Sequence, residues 1–150
     1  MPQDISSTGF ALVILLVLLI FVFFYLTLYR TLSLVRPENR KIQPFTVWLL
    51  FIPGFKMIWS FFVVTGISNS IREELLSRDY EVTDRPTYLS GILYSIALCF
   101  DLLIFIIPKD QITFFGIAGL LQIIFFVQYW NKVSWYKNLL QTEITKEADR

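Results

Sequence analysis

Lys56, Asp101 and Gln122 each stand inside a long apolar run of the chain. A charge at mid-membrane depth costs roughly 2.5–3.5 kcal/mol even on the mildest scale, so each charge there demands compensation. Helical periodicity places Ser60 on the face of Lys56, and places Gly91 and Tyr94 on the face of Asp101. The expectation is that Lys56 and Asp101 meet inside a helix bundle, directly or through one water, with Gln122 nearby. Antiparallel packing at 1.5 Å per residue leaves the two charges offset by roughly 7 Å in depth, which a lysine stem and helix tilt can cover. Two roles stay open for this cluster. In the first, it locks helix register. In the second, Asp101 titrates, or Lys56 binds an anionic group, during transport. The chain has no histidine, and no second acid extends a proton relay, which favours the first role.

Other chemistry lacks residues to carry it. No His-Glu or glycine-rich phosphate motif occurs. Lys56 and Ser60 have dyad spacing but no oxyanion donor beside them. The single cysteine, Cys99, excludes an internal disulfide and cysteine-built metal clusters. No catalytic residue, metal or cofactor is expected, and the protein is read as non-enzymatic. The net charge of +1 offers no basic surface for nucleic acid.

The chain is 55% hydrophobic, with 15 phenylalanines, and the apolar residues cluster into runs of membrane length. Four spans are expected, at about residues 9–29, 45–76, 87–107 and 112–140. Together they would form one all-α, four-transmembrane-helix bundle over residues 1–150. Pro53 and Gly54 should kink the second helix. Helices two and four should project beyond the bilayer, because Ile67, Ile71 and Leu75, and later Val133, Tyr136 and Leu140, continue apolar stripes beside charges. Gly116 and Gly119 should allow close helix packing. Pro108 and the short link after it make helices three and four antiparallel neighbours. The first run lacks a basic leader and carries Asp4, unlike a cleavable signal. It is read as a retained helix.

The run from Tyr29 to Leu75 resembles a family of small bacterial inner-membrane proteins built around a domain of unknown function. The residues that carry the likeness are Tyr29-Arg30, Trp48-Leu49-Leu50, Ile52-Pro53-x-Phe55, Trp59 and Ser68-x-Ser70-Ile71. Lys56 departs from that pattern, which has an amide residue there. The resemblance covers about a third of the chain. It implies a multi-pass protein of the bacterial inner membrane and transfers no catalytic residue.

Arg30, Arg36, Arg40 and Lys41 in the first linker favour placing that linker in the cytoplasm, with both termini outside. The expected partners are the lipid bilayer and either a membrane-protein partner or a second copy of the chain. Phe61, Phe62, Phe125 and Phe126 offer contact surface for such an association. The first functional reading is a small subunit or accessory protein of a membrane complex or homo-oligomer. The alternative is a small transporter or ion-conducting oligomer using Lys56, Asp101 and Gln122.

Overall fold

A 31-residue helix, α1 (Asp4–Leu34), opens the chain. It contains no proline, and its hydroxyls compete little with its backbone. Thr27 and Thr31 each donate to the carbonyl four residues earlier, at 2.9 and 2.7 Å. The helix stops where Pro37 bars helical geometry at Arg36, which is extended at φ −59°, ψ 144°. The computed structural model describes residues 4–82, 85–100 and 112–149. Among these the protein is all-α. A short 3-10 turn (Pro37–Asn39) and a longer 3-10 helix (Pro44–Phe51) precede α2 (Phe55–Leu76), α3 (Tyr88–Cys99) and α4 (Ile112–Ala148).

The second apolar run departs from the kinked span expected for it. Pro53 holds Ile52 extended at ψ 113°, and Gly54 takes φ 78°, a left-handed value that glycine adopts without strain. The chain therefore turns back instead of bending. Cross-contacts trace the hairpin. Ser70 Oγ accepts from the Lys41 backbone at 2.8 Å. Ile42 fills the space a Cβ on Gly66 would need. The Trp59 indole donates to the Thr46 carbonyl at 2.9 Å. Residues 41–51 thus run up beside α1, and α2 returns beside them. No helix covers 45–76 in one piece. α3 is only 12 residues long within the described region, against about 20 needed to cross a bilayer.

These findings correct the four-span bundle and, with it, the multi-pass placement in a bacterial inner membrane. Among the described residues one helix, over Thr8–Leu34, is long and apolar enough to cross a membrane. That is consistent with a single anchor or a signal sequence.

The core lies where the C-terminal half of α1 meets the other three helices. Phe24, fully buried, sits edge-on to Tyr94, Phe126, Tyr129 and Trp130, with ring centroids 4.8–6.0 Å away. Such pairs add about 0.5–1.5 kcal/mol each beyond their buried area. α1 and α4 run parallel, as contacts Phe21–Phe126, Thr27–Trp130 and Arg36–Glu147 show in sequence order. α3 runs against them, and Gly91 lets it press onto Val64 of α2 and Tyr129 of α4.

Candidate functional site

The densest polar chemistry gathers at the far end of the bundle, around Glu74. This carboxylate is fully buried. It lies in the last turns of α2, three residues after Ile71 and seven after Ile67, so it shares their inward face. Its Oε2 accepts from the Arg36 backbone N–H at 3.0 Å and from Asn39 Nδ2 at 2.8 Å. Its Oε1 accepts from Arg78 Nε at 2.9 Å and lies 2.9 Å from Arg78 Nη2. Arg36 Nε adds a longer contact of 3.7 Å. Burial alone would push the Glu74 pKa up. The donors from Asn39, the Arg36 backbone and Arg78 outweigh it and hold the carboxyl below its ordinary value.

The network then reaches α4. Glu147 sits 3.1 Å from Arg78 Nη1 and 3.5 Å from Arg36 Nη2. Asn39 also donates to Ser77 Oγ at 3.1 Å. Two carboxylates, Glu74 and Glu147, therefore tie together the segment after α1, the 3-10 turn, the end of α2 and the end of α4 through Arg36 and Arg78. Beside them, hydrogen bonds from Lys146 and then from Tyr80 hold Glu143 below its ordinary value at the surface. The carboxylate of Glu74 has donors on both oxygens, so its chemistry is that of a clasp.

Glu74 is not among the residues singled out from the sequence. Two signals were present: its spacing from Ile67 and Ile71, and Arg78 one turn on.

The expected midplane residues are placed as follows. Lys56 lies in the first turn of α2, half-exposed, on a groove of about 220 Å³ that Phe21, Tyr25, Leu50, Pro53 and Leu98 also line. Asp101, its expected partner, lies outside the described residues. Ser60 is buried and donates to the Met57 carbonyl at 2.9 Å, within its own helix. Tyr94 is buried in the aromatic core, stacked on Tyr129 at 5.6 Å. Gln122 is half-exposed on α4. Pro53 and Gly54 form the hairpin turn described above. A Cβ at Gly116 or Gly119 would meet nothing within 4 Å among the described residues, whereas Gly66 and Gly91 lie where neighbours crowd the backbone. Among the described residues no cluster of three metal-ligating side chains occurs.

The chain matches no family model, no curated protein and no solved structure. The resemblance carried by Tyr29–Leu75 therefore rests on its motif residues alone.

Proposed function

We propose that this protein is a non-enzymatic accessory subunit, anchored in a membrane by α1, that works by associating with a membrane protein or with copies of itself. The observation that carries this reading is the N-terminal half of α1. Every residue from Leu12 through Ile20 is large and apolar, and each is between 38% and 61% exposed. Nine consecutive residues circle the helix about two and a half times, so the exposure is all round, and no element among the described residues covers it. A helix apolar on every side belongs in a membrane or a larger core.

The association half of the reading has its own support. Leu120, Ile123, Ile124 and Val127 of α4 are exposed at helical spacing. Ile58 and Phe62 form a second exposed apolar pair on α2. Contiguous patches of this kind mark interaction surfaces in soluble and membrane settings alike.

Two measurements test the proposal. The full-length protein should stay with the membrane fraction through alkaline carbonate extraction; release into the supernatant would remove the anchor. In mild detergent its mass, corrected for bound detergent, should exceed that of one chain; a strict monomer that captures no membrane protein would remove the subunit reading.

A further inference from the structure

The geometry points to a binding groove for one anionic phospholipid on the flank where α1 meets α4. A groove of about 270 Å³ runs there, walled by Ile20, Phe23 and Leu26 of α1 and by Trp130 of α4, with Arg30 and Lys137 at one end. Its position along α1 gives it polarity. Ile20, Phe23 and Leu26 belong to the helix long and apolar enough to cross a membrane, and Arg30 lies one turn beyond Leu26, towards the polar end of the bundle.

The walls are held in place. Trp130 Nε1 donates to Thr27 Oγ1 at 3.2 Å, and that hydroxyl donates to the Phe23 carbonyl at 2.9 Å. The indole is thus fixed at the groove wall, the kind of position tryptophan takes at membrane interfaces.

Charge selects the ligand. Among the described residues no acidic side chain lines the groove. The cations nearest the clasp are consumed: Arg36 and Arg78 by Glu74 and Glu147, and Lys41 by Glu73. Arg30 and Lys137, by contrast, form no ion pair or hydrogen bond with a described residue. Two such cations at the mouth of an apolar groove suit a phosphodiester whose chain descends between the helices. A zwitterionic lipid offers the same chain but brings its own cation. The inference rests on the reading of α1 as a membrane anchor, and carbonate extraction tests that reading separately.

The test uses the full-length protein in mild nonionic detergent, titrated with phosphatidylglycerol or with phosphatidylcholine of the same acyl chains. Bound lipid is counted by native mass spectrometry. Wild type should prefer phosphatidylglycerol. The R30Q/K137Q variant should bind it about thirtyfold more weakly, since each interfacial cation contributes roughly equally, and should bind phosphatidylcholine as before. Exchanging the cations, R30K/K137R, should retain the preference.

A second cleft supplies the control. It lies across α4, is about 840 Å³ and is lined by Arg85, Lys132 and Trp135 among others. R85Q/K132Q should leave the preference intact. Equal affinity of wild type for the two lipids would overturn the proposal. So would an equal loss in both glutamine variants, which would mean a diffuse basic surface. Displacement of the lipid by millimolar inorganic phosphate would overturn it too, by showing a free-anion site that has no use for the chain.

Discussion

Replacing Glu74 with leucine removes the one carboxylate on which four backbone and side-chain donors converge. Arg78 is 6% exposed in its side chain and holds Glu74 through two contacts of 2.9 Å. Without them its charge stays buried, and the nearest carboxylate among the described residues is the half-exposed Glu147 at 3.1 Å. Removing one partner of a buried pair costs about 3–5 kcal/mol. The Arg36 N–H and the Asn39 amide lose their acceptor as well. For a chain of this size that loss lowers Tm by roughly 6–20 °C. Glu74→Gln keeps the shape and one acceptor oxygen, so it should lose about 2 kcal/mol, the worth of one charged hydrogen bond. Glu74→Leu with Arg78→Met should recover part of the single-variant loss, because both charges leave together. Thermal unfolding followed by circular dichroism in mild detergent reads all three. A Glu74→Leu variant within 1 kcal/mol of wild type, taking about 1 kcal/mol as the resolvable difference, would refute the reasoning. So would single losses that simply add. The same carboxylate makes a pH prediction. Its folded pKa is lowered from 4.5, so its contribution is fully present above that ordinary value and is lost as pH falls below it. Glu74→Gln should flatten that acid limb of the stability profile.

Three further outcomes follow from packing. Gly91→Ala drives a methyl into Val64 and Tyr129, and should cost about 1–3 kcal/mol in thermal melts. Gly119→Ala meets no described residue within 4 Å and should be neutral or stabilising, by up to about 1 kcal/mol of helix propensity. Phe24→Ala empties the centre of the aromatic core and should cost about 3–5 kcal/mol by the same measurement. Leu16→Asp, on the all-round exposed half of α1, should leave the melting of the bundle unchanged in detergent. It should weaken membrane retention by roughly 2.5–3.5 kcal/mol, read as protein released by carbonate.

The legible parts of the sequence were those with a phase. α1 was plain from its uncharged length, and the apolar stripe Ile67, Ile71, Leu75 marked the inner face of α2. The hairpin at Pro53 was not legible, because residues 45–64 are apolar nearly throughout. A run without polar positions carries no period, so a kink and a reversal look alike. Glu74 was missed because its charge outweighed its spacing, although position 74 falls on the same face as Ile67 and Ile71. Gly116 and Gly119 attracted notice by their mutual spacing. Gly66 and Gly91, which lie where neighbours press on the backbone, stand alone in sequence and are identified only by what lies across from them. Ser60 and Tyr94 are both buried. Their surroundings are a helix carbonyl and an aromatic stack.

The two halves of α1 have different surroundings. Its first half is exposed on all sides, but Phe24, Leu28 and Leu32 in its second half are at most 1% exposed. Truncating any one such side chain costs about 2–5 kcal/mol, and a whole domain holds only about 5–15 kcal/mol in reserve. Cleavage after the apolar stretch would take all three away together. The exposed apolar stretch and the core-packed stretch are therefore one uninterrupted helix. Two residues beyond its end, Arg36 offers its N–H to Glu74 at 3.0 Å. A helix of 31 residues has no internal proline at which to flex. On the proposed anchoring, the exposed first half of α1 would lie in the bilayer while its second half stays packed in the bundle.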